Sequence, residues 1–165
     1  FNGGIIMGLF SSTLFPAGGE SGDGGGVIQV KQNTKTSKFA TTSQAYTDVT
    51  GFDCTITPTS SSNKILVITS ANFGAGQDGQ NNYARIQRGI SGSFADILSV
   101  NQSIRMPNAY HVNTFVTIVL DTPNTTSAVL YKYQCHAESN EVFLNRGGSN
   151  VHRGQSTIIL MEISS

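Results

Sequence analysis

The chain has 165 residues, and ten Lys and Arg balance ten Asp and Glu, so the formal net charge is zero and only 12% of residues are charged. That length allows one domain with a sizeable core, and the lack of a basic stripe argues against nucleic acid as a partner. Two cysteines are too few for a small secreted disulfide scaffold, and no stretch reaches membrane-span length, so no membrane insertion is expected.

The first unit, residues 1–26, is an N-terminal arm with a linker. Ile5, Ile6, Leu9, Phe10 and Phe15 are large apolar residues set among small ones, and Gly18 to Gly26 is rich in glycine. Such a linker gives an apolar peptide reach. These five residues are therefore candidate partner-docking positions on another subunit or a neighbouring protein; folding back over the chain's own domain is the alternative. No basic leading region or clear small-residue cleavage site marks a signal peptide. The chain opens on Phe1 rather than Met, as a trimmed, processed or partial chain does.

The second unit, residues 27–165, reads as strands and turns. Val27 to Lys31 alternates weakly, and Phe39 to Val49 is rich in Thr and aromatic residues. Cys54 and Ile56 share a face. After the turn Thr59 to Asn63, Lys64 to Phe73 is strongly apolar. Gly74 to Asn82 is a polar loop; Tyr83 to Arg88 alternates, and Phe94 to Val100 suits another strand. In His111 to Leu120, Val112, Val116, Ile118 and Leu120 face one way and Asn113, Phe115, Thr117 and Val119 the other. Ser127 to Ala137 puts Val129, Tyr131, Tyr133 and Cys135 on one face. Glu141 to Asn145 is short, and Thr157 to Ile163 sets Ile159, Met161 and Ile163 together.

About ten short strands at regular spacing, with no helical pattern between them, predict an all-β fold: a two-layer antiparallel β-sandwich, jelly-roll-like. Lys64 to Phe73 and His111 to Leu120 are apolar on both faces. The second apolar face needs cover, and a neighbouring subunit supplies it most simply, so an oligomer is expected. Both cysteines lie in strand-like runs and read as buried thiols, with a bridge left open.

Five segments carry a family resemblance: Gly26-Val27-Ile28-Gln29-Val30-Lys31-Gln32, Ala45 to Gly51, Ile56 to Val67, Asp121 to Val129 and Ser156 to Ile163. Together they span most of residues 27–165, and the domain resembles a β-rich module of virion proteins from tailed phages, marine and cyanobacterial ones especially. The resemblance implies a homotrimeric tail-fibre, spike or head-surface domain located at the virion surface. It transfers no catalytic residue.

Catalytic signatures are missing. There is no Gly-x-Ser-x-Gly elbow, and His111, His136 and His152 have no zinc spacing. Gly22 to Gly26 lacks the Lys-Ser/Thr ending of a phosphate loop, and Gly74 to Asn82 lacks the acidic spacing of a calcium loop. The expectation is a non-enzymatic protein with no catalytic residue, cofactor or metal. Two functions compete. One is a fibre or spike module contacting a host surface glycan or protein. The other is a capsid decoration or cement protein anchored to other virion proteins by its arm. For the first, loops at one end of the sandwich supply candidate receptor contacts, among them Asn81, Asn82, Arg105, Tyr110, His152 and Arg153.

Overall fold

The computed structural model describes residues 26–98, 102–146, 151 and 154–165. Among them are eleven strands and no helix: β1 (Val27–Lys35), β2 (Phe39–Thr41), β3 (Thr47–Ile56), β4 (Lys64–Ala75), β5 (Asn81–Ile90), β6 (Ser93–Asp96), β7 (Gln102–Arg105), β8 (Val112–Asp121), β9 (Val129–Ala137), β10 (Val142–Leu144) and β11 (Ser156–Ile163). The arm residues Ile5, Ile6, Leu9, Phe10 and Phe15 lie outside the described residues.

The strands form two antiparallel sheets. The first has the order β1-β11-β4-β8, with β10 following β11 along the same edge of β4 and β2 beyond it. The second has the order β3-β9-β5, with β6 and β7 side by side on the far edge of β5. The pairs nest: β1 with β11, β3 with β9, β4 with β8, β5 with β7. Long strands alternate between sheets along the chain, which is the wrapping of a jelly roll.

Alternation places the core. In β4, β9 and β11 every second residue is buried, in β3 and β5 the same alternation holds with one break each, and Phe52, Ile56, Ile65, Val67, Phe73, Ile86, Tyr131, Tyr133, Ile158 and Leu160 fill the space between the sheets. Phe52 and Phe73 lean on Tyr133 at 4.9 and 5.7 Å between ring centroids. Asp121 of β8 ties the sheets together: it accepts from Tyr131 Oη at 2.7 Å and from Arg88 Nη1 at 2.8 Å.

A carboxylate also stands in the core phase. Glu162 has no exposed surface, and it accepts from Gln29 Nε2 (2.6 Å), Thr59 N (2.6 Å), Thr59 Oγ1 (2.8 Å) and Asn63 Nδ2 (2.6 Å). Burial pushes its pKa up, but the Asn63, Gln29 and Thr59 donors outweigh burial and hold it at about 2. The group therefore locks the β3–β4 turn and β1 onto β11.

Several element boundaries differ from the alternation pattern. Phe39 to Val49 is not one strand, because the chain leaves β2 after Thr41, pairing only with β10, and enters the second sheet at Thr47. Gln102 to Arg105, whose last residue is expected in a contact loop, adds β7 to the β5 edge.

The thiols are both free and buried. Cys54 lies opposite Tyr131, four residues from Cys135, or about 13 Å along the strand. That exceeds the ~7 Å Cα reach of a disulfide. Burial raises the pKa of Cys54 and pushes that of Cys135 up to about 12, so neither is a ready thiolate. A thiol reagent should therefore label neither cysteine in the native protein and both after denaturation. Labelling of fewer than two after denaturation without reductant would contradict this packing.

Candidate assembly face and loop end

The outer surface of the first sheet is built from the residues that alternate with the core. Register aligns them in rows across four strands. Val30, Met161, Leu66 and Leu120 form one row, and Gln32, Ile159, Ile68 and Ile118 the next. Thr34, Thr157, Ser70 and Val116 follow, with a threonine–threonine hydroxyl contact of 3.3 Å between the first two. Val27 and Ile163 extend the patch towards the chain ends. At roughly 4.8 Å between strands and 3.3 Å per residue, the footprint is about 19 by 23 Å.

This face is open. On β8, Val116, Ile118 and Leu120 are 55%, 64% and 54% exposed, and on β1, Val27 and Val30 are 56% and 51% exposed. Residues 112–120 contain no charge and no proline. An edge strand with nine successive residues free of charge and proline, and no cover among the described residues, invites pairing with another chain. A patch of this size is comparable with the largest that a soluble monomer exposes, and such patches are often functional.

The second sheet's outer surface is the opposite in character. The Tyr83 ring stacks on His136 at 4.5 Å, and Tyr46 meets His136 edge-on at 4.6 Å. The Arg85 guanidinium lies 4.1 Å over the Tyr46 ring and the Lys132 ammonium 3.9 Å over Phe94. Arg85 also pairs with Asp96 (3.0 Å) and Lys132 with Asp48 (3.0 Å). Charges that pair among themselves and keep solvent contact make an ordinary wet sheet face.

The expected contact loops gather at one end of the sandwich. Gly79 N donates to Met106 O (2.8 Å), Met106 N to Gln80 O (2.9 Å) and Tyr110 N to Ala75 O (2.7 Å), and Ala109 N donates to the Asp78 carboxylate. Loops 76–80 and 106–111 are thus one unit. Arg105 is exposed there, and so is Tyr110, 51% exposed with φ of 60° and its ring 6.3 Å from that of Phe143. The side chain of Asn81 is engaged by Glu138 at 3.1 Å.

Asn82 is corrected from a contact to a structural residue. It is 1% exposed, and its amide donates to Gly74 O at 3.4 Å and accepts from Gln80 at 3.3 Å. The reason is phase: Asn82 is in β5, one residue past Asn81, and points inward. His152 and Arg153 lie outside the described residues. Among the described residues, no group of three His, Cys, Asp or Glu is placed to hold a metal ion.

The four-strand apolar face is larger than alternation in two strands suggests. Lys64 to Phe73 and His111 to Leu120 announce their two-sided character. The contribution of β11 is signalled only by apolar residues in both phases, Ile158 and Leu160 against Ile159, Met161 and Ile163.

No protein-family model matches the chain, and no curated protein matches it in sequence. Solved structures do. The structure of infectious bursal disease virus, Gx strain, is similar over 83% of this chain and 37% of that one, at 14% identity and a TM-score of 0.46. The crystal structure of the infectious bursal disease virus VP2 subviral particle covers 84% of this chain and 38% of that one, at 12% identity and 0.41. A family 16 carbohydrate binding module matches 65% of this chain and 70% of that one, at 10% identity and 0.31. This chain spans about a third of the length of the first two.

Proposed function

We propose that this chain is a non-catalytic structural module of a virion surface, in a tail fibre or spike of a tailed phage, and that it works as an oligomer. The observation that carries the reading is the uncovered apolar face of the first sheet, since a chain with such a face is made to be part of an assembly. The resemblance of five segments to phage virion modules supplies the kind of assembly. In this reading the loop end, with Arg105 and Tyr110, contacts a host surface glycan or protein.

The polarity of the domain favours a fibre or spike. Gly26 N donates to Ser164 Oγ at 2.8 Å, so the start of β1 and the end of β11 meet at one end. Arg105 and Tyr110 lie at the other, beyond the far ends of β4 and β5. Attachment at one end and contact at the other suits a distal module. The second reading, capsid decoration anchored through Ile5, Ile6, Leu9, Phe10 and Phe15, is favoured by the apolar arm behind its glycine-rich linker.

Immunogold labelling of intact particles with antibody to this chain tests both readings. Gold at fibre or spike tips is expected. Gold over the head would select the decoration reading, and unlabelled particles would overturn a virion role.

A further inference from the structure

We infer that the ring of Tyr110 is the stacking platform of a site for an uncharged sugar, a neutral pyranose of a glycan chain, and that Gly74, Phe143 and Arg146 hold the ring in position. The ligand class and the positioning residues deepen the host-contact reading of the loop end, on which they rest.

The platform is built outwards from the first sheet. Phe143 pairs with Gly74 across β10 and β4. Its neighbours Val142 and Leu144 belong to the core, so Phe143 points out of the sheet. It nevertheless has no exposed surface. Gly74 lets its ring occupy the space over β4, because a Cβ there would stand 2.0 Å from Phe143 Cε2. The Arg146 guanidinium lies 4.5 Å over the same ring, and its Nη1 donates to Glu141 Oε1 at 3.0 Å. The Tyr110 ring is 6.3 Å from that of Phe143 and within 18° of parallel.

The backbone is bent to present that ring. Tyr110 has φ of 60°, a conformation that bulky residues rarely adopt. Tyr110 N donates to Ala75 O (2.7 Å), His111 N to Asn108 O (3.3 Å) and Ala109 N to the Asp78 carboxylate. The ring stays 51% exposed, so covering Phe143 does not account for the whole arrangement. Strain that the surroundings hold in place clusters at sites of contact, and a ring fixed beforehand loses little freedom on binding.

The surroundings select the ligand. In turn 106–111, Asn108 and His111 are exposed and Met106 is buried, so Tyr110 is one large apolar anchor among hydrogen-bonding groups. A protein contact takes a cluster of anchors inside a wide rim. One ring with an amide beside it fits one pyranose, the ring taking its C–H face and the amide its hydroxyls. Charge decides against an acidic sugar. Arg146 is committed to Glu141, and among the described residues of this end the carboxylates of Asp78, Glu138 and Glu141 outnumber the guanidiniums of Arg105 and Arg146.

Saturation-transfer NMR on the full chain tests this, with methyl pyranosides of glucose, galactose, mannose and N-acetylglucosamine beside glucuronic and sialic acids. At least one neutral sugar should bind. Tyr110→Phe should keep that binding, and Tyr110→Ala should weaken it by about tenfold or more. Phe143→Leu keeps an apolar side chain over Gly74 and should weaken binding severalfold with circular dichroism unchanged; unaltered affinity in that variant would overturn the positioning role. Binding of acidic sugars alone, neutral binding that Tyr110→Ala leaves unchanged, or no sugar binding at all would each overturn the site, the last pointing to a protein partner. Particle labelling judges the fibre reading separately. Gold at fibre tips with no sugar bound overturns the sugar site alone, and Tyr110-dependent sugar binding with unlabelled particles overturns the virion role alone.

Discussion

Replacing Ile118 by Asp is expected to convert the assembled protein into monomers without unfolding it. In a single copy this side chain is 64% exposed, so the substitution touches nothing in the core. An exposed change away from special features moves stability by about 0.5 kcal/mol, and the poor strand preference of Asp adds at most about 1 kcal/mol. Covered by a neighbour, the remaining exposed part of the same Ile contributes about 1–2 kcal/mol of apolar burial. A trimer loses three such contributions, which is roughly two to four decades in its association constant. Light scattering should therefore find a single-copy mass, with circular dichroism still that of a β protein. Phe94→Asp is the control. Phe94 is also exposed, at 47%, but lies on β6 of the second sheet, and its replacement should leave the mass unchanged. If Ile118→Asp keeps the native mass, the apolar face is not where copies meet.

Replacing Glu162 by Gln should be among the most damaging single changes to stability. The carboxylate receives four donors from Gln29, Thr59 and Asn63. A glutamine keeps one acceptor oxygen and turns an NH2 group towards donors, so at least one buried donor loses its partner. Bonds to a charged acceptor contribute about 1.5–3 kcal/mol each, and an unsatisfied buried donor costs about 1–3 kcal/mol. A loss of about 3 kcal/mol is expected, or about 10 °C in melting temperature for a domain of this size, measured at one fixed protein concentration because assembly also moves the midpoint.

The same group sets an acid limb. Its pKa is about 2 when folded, against an ordinary 4.5. The unfolded chain therefore binds more protons between those values, and stability rises with pH there. Its contribution is complete above pH 4.5 and is lost as pH falls towards 2. Glu162→Gln should be less stable than the parent at pH 7 and lose less on acidification. A parent and variant with parallel pH profiles would contradict the assigned state of Glu162.

Much of the fold is legible in the chain because most strands show one clear phase. Val129, Tyr131, Tyr133 and Cys135 alternate with Lys132, Gln134 and His136, and that pattern alone orients β9. The phase of β11 is harder. Ile159, Met161 and Ile163 look as core-like as Ile158 and Leu160, and Glu162 in the second phase argues for the wrong side. Its donors come from Gln29, Thr59 and Asn63, which are about 100 or more residues away in sequence, so no local pattern reveals that the carboxylate is satisfied. The error would hide the β11 part of the apolar face.

The loop end is legible in outline and not in detail. Turn-rich stretches mark residues 76–80 and 106–111, but a one-residue difference in strand phase separates Asn81, whose amide meets Glu138 at the surface, from buried Asn82. Likewise β7 arises because β5 has a free edge to fill, a tertiary demand that Gln102 to Arg105 does not advertise. The apolar character of β8 is plain in the sequence, whereas its alignment with β4, β11 and β1 into one four-strand patch depends on jelly-roll nesting.

The most direct test of self-assembly through this face is equilibrium sedimentation of the unmodified chain at micromolar concentration. The monomer is 17.5 kDa, and the predicted species has three times that mass, or about 52 kDa. A dimer would keep the face covered and contradict the homotrimer that the resemblance implies; a monomer would contradict the covered face itself.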